Sequence, residues 1–297
     1  MENILVSVVV VTYNSEETVI ETLDSIKEQS YQNIELIITD DCSKDNTVSL
    51  CETWVKENKN RFNNTLIIKS EQNTGVSANC NRGNLSANGE WIKEIAGDDI
   101  LLPNCIQDNI NYIKKHERAN IVFSNCLKFR VQNQQRILGK EILTEQYKNI
   151  LNSDSKTQLS LLYKHNFLPA VSCFVRTSYF KSSPYNEKYR NLEDYPYWFK
   201  SVKKGEKLYY FDSVTVLYRE SETLSQSKKK FFNKRLYLDL KYFYYTEIFD
   251  DLKNTDETLL RCTLKERFLE DFCMYILKNK NNYFTRKIRS IIKYLFL

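Results

Sequence analysis

The feature that most constrains the fold is a regular alternation of apolar, β-branched runs with helix-like segments over the first hundred residues. Strand-like runs cover residues 4–11, 34–41, 65–70 and 90–95, and the segments between them cover 14–27, 43–58 and 73–89. Parallel strands require long crossover connections, whereas antiparallel strands can be joined by tight turns. The β-α-β-α-β-α-β order therefore predicts an α/β fold with a Rossmann-like, mostly parallel sheet and helices on both faces.

The second half of the chain has a less regular pattern. The sequence predicts a helix over 103–115, a strand over 170–177, a loop-to-helix entry over 191–205, a strand over 207–219 and a helical region from about Ser225. Pro103 suits a first helical position, and Gly205 suits the end of a helix. The order of these elements is irregular, so the second half is not predicted to repeat the β-α alternation of the first half.

Cysteine and histidine usage excludes several kinds of site. The chain has eight cysteines without CxxC spacing and only two histidines, so a zinc site or a Cys-His nucleophile is disfavoured. Buried free thiols in a reducing cytoplasm fit this pattern.

The N-terminal residues lack a basic region and a small-residue cleavage site, and they predict a strand instead of a signal peptide. No apolar run reaches the roughly 20 residues of a membrane span, and a net charge of +5 does not suggest nucleic acid.

Two acidic pairs end apolar runs of the first half. Asp40 and Asp41 end the second run, and Asp98 and Asp99 end the fourth. Because the carboxyl ends of strands line the ligand crevice of an open α/β sheet, the two pairs are expected at one edge. One interpretation of the second pair is a solvated acidic turn. The other is a site for Mg²⁺ or Mn²⁺, which relieves the mutual repulsion and is completed by substrate phosphates.

The segment around Asp41 carries further alternatives. A carboxylate at a strand end can accept a hydrogen bond from a base or a ribose hydroxyl, or it can serve only a solvated turn with helix-capping neighbours. Neither GxGxxG nor GxxxxGK[ST] occurs in the chain. Dinucleotide oxidoreductases and P-loop kinases are therefore disfavoured.

A third acidic pair, Glu193 and Asp194, lies about a hundred residues later beside Tyr195, Tyr197 and Trp198. One interpretation is a helix cap with a first-turn acid that interacts with the helix dipole. The other is a general base whose pKa is raised by desolvation among the aromatic rings. Such a base could take a proton from an attacking sugar hydroxyl.

Four stretches together resemble a known family. In order and rough spacing, residues 7–47, 73–103, 192–198 and 217–227 are similar to the family 2 inverting glycosyltransferases of the GT-A fold, and the likeness covers about residues 5–225. The resemblance implies a nucleotide-sugar donor, usually UDP-linked, and Mn²⁺ or Mg²⁺ as cofactor. It also implies a saccharide or lipid-linked saccharide acceptor, as in bacterial surface-polysaccharide assembly.

The resemblance also implies roles for individual residues. The residues implied to bind the nucleotide are Thr12, Tyr13, Asn14, Asp41, Gly75, Asn81 and Asp98. Asp98 and Asp99 match the metal-binding pair, Arg219 of the "YR" element lies near the diphosphate, and Asp194 matches the catalytic base. The chain departs from the family pattern at Ala96, Cys42, Cys80 and Glu220, where an acid, a glycine, an arginine and a histidine are common.

The resemblance divides the chain into three parts. Residues 1–102 are the expected nucleotide-sugar-binding half, 103–225 the acceptor-binding half of the same domain, and 226–297 a basic helical region. A nucleotidyltransferase of similar architecture and a non-catalytic sugar-nucleotide-binding or scaffold protein remain the alternative functions. The expected location is cytoplasmic and peripheral to the inner face of the cell membrane.

The C-terminal tail carries a separate expectation. Residues 283–295 contain four cations, no acid and apolar side chains at roughly helical spacing. One interpretation is a helix that packs on the domain with solvated cations. The other is an interfacial helix on an anionic membrane surface, helped by the basic run at 228–232.

Overall fold

The structure is a computed structural model that describes residues 4–220 and 230–296, with side chains described through residue 294. The chain divides into two compact units, residues 1–220 and 221–297. The domain boundary expected at residues 225 and 226, most of the motif at 217–227, and Lys228 and Lys229 of the basic run lie outside the described residues. All eight cysteines lie among the described residues and are free thiols; six are buried as predicted, whereas Cys42 is half-buried and Cys262 is exposed.

The first unit is an α/β domain. Its elements are β1 (Val6–Thr12), α1 (Val19–Lys27), β2 (Ile34–Asp40), α2 (Thr47–Asn58), β3 (Asn64–Lys69), α3 (Val76–Leu85), β4 (Trp91–Ala96), β5 (Ile100–Leu101), α4 (Cys105–Ile113), β6 (Ile121–Gln132), β7 (Gln135–Glu141), α5 (Glu145–Leu151), α6 (Ser155–Leu162), β8 (Phe174–Arg176), α7 (Thr177–Ser182), α8 (Asp194–Lys203) and β9 (Leu208–Arg219).

The strands form one mixed sheet in the order β3-β2-β1-β4-β8-β6-β9-β5, with β7 paired to β6. The first four strands along the chain are mutually parallel, which confirms the α/β fold class. β8 is antiparallel to both β4 and β6, while β9 runs parallel to β6. The parallel half therefore comes from the regular first hundred residues, and the antiparallel strands come from the irregular second half.

The strand residues explain this arrangement. Every residue of β2 is buried, and so is every residue of β1 except the half-buried Val11. Both strands are buried because helices cover both faces of the sheet. β3 alternates between exposed and half-buried residues, as an edge strand does. The register pairs Thr12 with Asp40 and Val11 with Ala96. The carboxyl ends of β1, β2 and β4 consequently lie level.

Some predicted boundaries are wrong for local reasons. The first helix begins at Val19 instead of near Asn14, because Asn14 adopts a left-handed conformation with φ of 51° and Ser15 begins a turn. The helix after Pro103 begins at Cys105. The strand predicted over 170–177 is split into a 3₁₀ turn at Ala170–Ser172 and the short β8.

The second unit is helical within its described residues, as predicted. It contains α9 (Lys234–Phe243), a π-helical turn (Tyr244–Ile248), α10 (Phe249–Thr255), α11 (Glu257–Asp271), a second π-helical turn (Phe272–Ile276) and α12 (Tyr283–Phe296). Asp271 joins α9 and α11 by accepting hydrogen bonds from Tyr237 and Lys241. Across the described parts of both units, no helix combines the length and apolar character that crossing a membrane requires.

Gly75 is the glycine whose conformation matters most to the site. It precedes α3 with φ of 98°, and a Cβ atom there would lie 2.8 Å from the carbonyl oxygen of Arg190 and also meet that residue's side chain. Gly205 at the end of α8 has a similar φ of 95° but open space around the same position. Alanine at Gly205 would therefore meet backbone strain alone, whereas alanine at Gly75 would meet backbone strain and a steric contact.

We expect Gly75→Ala to destabilise the protein more than Gly205→Ala. Alanine at positive φ costs about 1–2 kcal/mol at either position, and the contact with Arg190 adds roughly 1–3 kcal/mol at residue 75. Urea unfolding of both variants beside the parent chain measures the difference. Equal losses would show that the approach of Arg190 to residue 75 is not a tight contact.

Candidate active site

The carboxyl end of β1 forms one side of the site. Thr12 is buried, and its hydroxyl donates a hydrogen bond to Asp40 Oδ2 at 2.9 Å. Ser43 donates from its backbone and its hydroxyl to the same carboxylate. Tyr13 is 48% exposed at the end of the strand, and the backbone N–H of Asn14 donates to Ser43 Oγ. Thr12 and Asn14 thus brace the loop, while Tyr13 presents an accessible ring.

Asp41 holds the turn before α3. Its carboxylate accepts hydrogen bonds from the Thr74 N–H at 2.9 and 3.0 Å, the Thr74 hydroxyl at 2.6 Å and the Gly75 N–H at 2.8 Å. Arg82 Nη2 lies 3.5 Å from Asp41 Oδ1. The Asp41 side chain is only 3% exposed. These bonds satisfy the buried carboxylate within the protein, and its predicted contact with a nucleotide base stays a prediction.

A cavity of about 580 Å³ lies beside this turn. It is lined by Lys69, Ser70, Glu71, Gln72, Thr74 and Arg82. Arg82 donates to Asn79 Oδ1 and Thr74 Oγ1, which fixes the guanidinium at the cavity wall. Since a guanidinium carries five N–H donors, Arg82 retains donors for a ligand. The sequence analysis did not single out Arg82.

The second acidic pair follows β4, in a turn packed against α1. The Gly97 carbonyl accepts a hydrogen bond from Thr18 Oγ1, and the Asp99 carbonyl accepts one from Thr22 Oγ1. Asp99 Oδ1 accepts the backbone N–H of Arg219 at 2.8 Å. Burial raises the pKa of Asp99 well above its ordinary value, and the neighbouring charge of Asp98 raises it further. Burial also raises the pKa of Asp98, against the lowering effect of Arg219.

The Asp98 and Asp99 carboxylates can bind a hard divalent cation only if other groups, such as phosphates or water, complete its ligands. Asp99 Oδ1 accepts the Arg219 N–H, and the Asp98 carboxylate interacts with its own backbone N–H, so oxygens of both residues remain available to a ligand. No cluster of three or more His, Cys, Asp or Glu side chains suited to a metal occurs in residues 4–220 and 230–296. Mg²⁺ and Mn²⁺ sites commonly combine one or two carboxylates with substrate phosphates and water. The pair therefore suits a cation that arrives with a phosphorylated substrate.

Arg219 connects this turn to two other elements. Its Nε donates to the Asp98 carbonyl at 2.6 Å, and its guanidinium lies 4.5 Å from the centre of the Phe129 ring. Glu21 of α1 forms ion pairs with both Arg219 and Arg136 of β7. Burial alone would raise the pKa of Glu21, but the two guanidinium groups hold it below its ordinary value. Arg219 is thus fixed beside the acidic pair, and its predicted contact with a diphosphate stays a prediction.

The third acidic pair lies at the start of α8. Asp194 Oδ1 accepts the Tyr195 N–H at 2.6 Å, and Oδ2 accepts the Asn166 amide at 2.8 Å. Burial raises the pKa of Asp194, and these two donors oppose the increase. Burial and the charge of Asp194 raise the pKa of Glu193 to about 8. Glu94 of β4 adds negative charge to the same cluster. Burial therefore disfavours the charged form of both adjacent carboxyl groups.

Helix α3 joins this pair to the Asp41 turn. The Asn81 amide brackets the backbone of Tyr185, accepting its N–H at 3.0 Å and donating to its carbonyl at 2.9 Å. Ser77 donates to the Tyr189 carbonyl, and Gly75 contacts Arg190. These contacts hold the segment that leads into Glu193 and Asp194. Asn81 and Gly75 have clear structural roles here, and the nucleotide contacts predicted for them stay predictions.

The contacts link the predicted residues in two groups. Asp41 joins the ends of β1 and β2 to the start of α3, and Asp98 and Asp99 lie beside Arg219 at the end of β4. The segment before Asp194 is held by α3.

Sequence reasoning missed four polar residues of the site: Glu21, Arg82, Glu94 and Asn166. Arg82 directly follows the predicted Asn81, so the sequence held a signal for it. Glu21 and Asn166 are distant in sequence from the residues they contact, and only tertiary structure brings them to the site.

We expect Asp99→Asn to raise the melting temperature by roughly 2–4 °C at pH 8. The pKa of Asp99 is higher in the folded state than in the unfolded state, so ionisation destabilises the fold as pH rises above about 4. The gain should shrink towards pH 4, where the carboxyl is protonated in both states. Asn keeps an oxygen to accept the Arg219 N–H. Differential scanning calorimetry at several pH values measures the effect.

Asp154→Asn is the matched control. Asp154 caps α6 and accepts the Thr157 N–H at 2.9 Å, and this hydrogen bond lowers the pKa of Asp154. Its ionisation therefore stabilises the fold, and its replacement should give no gain at pH 8. A gain of equal size in both variants would contradict the assignment to burial of Asp99.

Known proteins that are similar to this chain are glycosyltransferases. Residues 7–204 match the family described as glycosyl transferase family 2. An uncharacterized glycosyltransferase of Haemophilus influenzae is 29% identical over 209 residues, which cover 69% of this chain and 62% of that protein. One of Methanocaldococcus jannaschii is 27% identical over 77% of each chain. The chain thus spans less than two thirds of the Haemophilus relative.

Solved structures show the same fold. S. aureus TarS 1–349 in complex with UDP-GlcNAc is 20% identical, with a TM-score of 0.65 over 92% of this chain and 76% of that one. The same TarS fragment in complex with UDP gives a TM-score of 0.61 over 89% of this chain and 72% of that one. The fold is that of the GT-A glycosyltransferases. Because the family match covers more than half of the chain, the chain belongs to glycosyl transferase family 2.

Proposed function

We propose that the protein is an inverting glycosyltransferase that moves a sugar from a UDP-linked donor to an acceptor hydroxyl. The observation that carries the proposal is the buried Asp194 carboxylate, which accepts hydrogen bonds from Asn166 and Tyr195 and interacts with Glu94 of β4. Family membership supports glycosyl transfer. The UDP and UDP-GlcNAc complexes of TarS support a uridine nucleotide as the donor carrier.

The nucleotide binds at the carboxyl ends of β1, β2 and β3. The exposed ring of Tyr13 offers a stacking surface for a base, and the cavity beside Asp41 offers space and the spare donors of Arg82. Thr12, Asn14, Gly75 and Asn81 shape this region through the hydrogen bonds described above. Open α/β sheets bind ligands at this edge.

Asp98 and Asp99 would hold a Mn²⁺ or Mg²⁺ ion that arrives with the phosphate end of the donor. When bound, the cation offsets negative charge on the departing diphosphate. In this proposal Asp98 also accepts a hydrogen bond from a ribose hydroxyl. Arg219 stays beside the pair and adds a fixed positive charge, held in place by Glu21.

Asp194 acts as the general base. The acceptor oxygen attacks the anomeric carbon from the side opposite the diphosphate, the new C–O bond forms, and the bond from carbon to the phosphate oxygen breaks. Asp194 takes the hydroxyl proton as the bond forms, and the nucleoside diphosphate leaves with the electron pair. A single displacement of this kind inverts the anomeric centre.

The acceptor is a saccharide or lipid-linked saccharide, and the protein works in the cytoplasm at the inner face of the cell membrane, in surface-polysaccharide assembly. The free thiols suit a reducing compartment.

Helix α12 supplies a membrane-facing surface. Its outward aromatic and apolar side chains are Tyr283, Phe284, Ile291 and Tyr294, which are 50–89% exposed. Its cations are Arg286, Lys287, Arg289 and Lys293.

The geometry of α12 supports this interfacial role. Phe284, Lys287, Ile291 and Tyr294 follow helical spacing and lie along one face, whereas Thr285 is buried on another. Exposed aromatic rings with neighbouring cations are typical of helices that lie in the headgroup region of an anionic bilayer.

We expect Asp194→Asn to lower turnover by at least about 100-fold, because the amide cannot take the proton. Binding of UDP in the presence of Mn²⁺ should remain near the parent value. UDP release from a panel of UDP-sugars measures turnover, and isothermal titration measures binding. Asp154→Asn, at another helix start, is the control and should keep full activity.

Retained turnover in Asp194→Asn would refute the base assignment. UDP binding without turnover of any donor and acceptor tested in the parent chain would favour a non-catalytic sugar-nucleotide-binding protein.

We expect the full chain to float with vesicles that contain phosphatidylglycerol and to remain unbound with pure phosphatidylcholine. The double variant Phe284→Glu/Ile291→Glu should lose flotation, because it places acids on the outward face. High salt should weaken binding by the parent chain, since the attraction to anionic lipid is screened. The paired control, Leu264→Glu, changes a 39% exposed apolar residue of α11. Unchanged flotation of the double variant would contradict a membrane role for α12.

A further inference from the structure

Asn166 contacts the Asp194 carboxylate from a distant part of the chain. Its Nδ2 donates to Asp194 Oδ2 at 2.8 Å, and its own Oδ1 accepts the Leu168 N–H at 3.1 Å. The second bond determines which end of the amide faces Asp194, because only the oxygen can accept an N–H. The amide therefore presents a donor to the carboxylate.

The bond from Asn166 is the one that sets the plane of the carboxylate. The other donors are local: the N–H of Tyr195, the residue next in sequence, reaches Oδ1, and the N–H of Asp194 itself also favours the charged form. Donors this close along the chain leave the carboxylate freedom to rotate about its terminal torsion, which is broad for Asp. A second bond to Oδ2, from a residue 28 positions away, removes that freedom.

The support behind Asn166 is itself rigid. The Tyr195 hydroxyl donates to the Leu162 carbonyl at 2.6 Å, so the end of α6 is tied to the first turn of α8. Phe167 and Leu168, which follow Asn166, are each 6% exposed. Residues 162–168 therefore form a fixed bracket, and the Asn166 amide is its contact with the proposed base.

Asp194 lies in a strongly acidic surrounding. The titratable groups that interact with it come from several elements: Glu193 of the same turn, Glu94 of β4, Cys80 of α3 and Cys173 before β8. Lys93 interacts with Glu94 but donates its own hydrogen bonds to the Val171 and Cys173 carbonyls. A neutral donor such as Asn166 favours the ionised form of Asp194 without adding another charge to balance.

We propose that Asn166 is a positioning residue that orients the Asp194 carboxylate and keeps it ionised for proton abstraction. The proposal rests on the proposed function, in which Asp194 is the base. Asn166 reaches the reaction only through Asp194, so its loss should change the protonation of Asp194 and leave nucleotide binding intact.

The test is an NMR titration of full-length protein with ¹³C at the Asp carboxyl carbons, with Asp194→Asn used to assign the Asp194 signal. We expect Asn166→Ala to raise the pKa of Asp194 by about one pH unit. Asn166→Asp should raise it more, because it replaces a donor with a like charge. Asp at 166 keeps the size and the oxygen that accepts the Leu168 N–H, so this variant preserves the bracket if Ala does not.

Asn120→Ala is the matched control. Asn120 Nδ2 donates to Glu206 Oε2 at 3.0 Å, so this variant removes a similar amide–carboxylate bond elsewhere in the α/β unit. It should leave the titration of Asp194 unchanged. UDP affinity should match the parent in all three variants, and the acid limb of the pH profile for UDP release should move to higher pH in the two Asn166 variants.

An unchanged Asp194 titration in both Asn166 variants would overturn the proposal, as would an equal shift in Asn120→Ala. The NMR readout does not depend on catalysis. Failure of the proposed function would instead appear as turnover retained by Asp194→Asn, so the two failures are distinguishable.

Discussion

The level carboxyl ends of β1, β2 and β4 are the constraint on which the rest of the site depends. The register pairs Thr12 with Asp40 and Val11 with Ala96, which gathers acidic side chains at one edge of a buried sheet. Buried carboxylates are costly unless hydrogen-bond donors or cations compensate them. Much of the polar structure at this edge supplies that compensation.

The three acidic groups are compensated in different ways. Asp41 is surrounded by backbone and hydroxyl donors and by Arg82, and it acts as a structural anchor for the turn before α3. Asp98 and Asp99 have few donors, and their raised pKa values show the cost of burial. Incomplete compensation within the protein is what makes this second pair suited to a cation and a phosphorylated ligand.

Helix α3 and the bracket at residues 162–168 place the third group. α3 holds the segment before α8 through Asn81 and Ser77, and the bracket reaches Asp194 from the other side through Asn166. The base proposed for the reaction is therefore positioned by both halves of the α/β unit. Such support by distant packed segments keeps a reactive side chain in one geometry.

The sequence alone determined the parallel half of the sheet and the acidic residues at its edge, because strand burial and strand order leave a local periodic signal at Val6–Thr12 and Ile34–Asp40. It also indicated the family through short ordered motifs. Tertiary structure alone decided that β8 inserts antiparallel beside β4, that Glu21 pairs with Arg219, and that Asn166 meets Asp194. These contacts join residues 28–198 positions apart, and neither periodicity nor spacing records a contact over such separations.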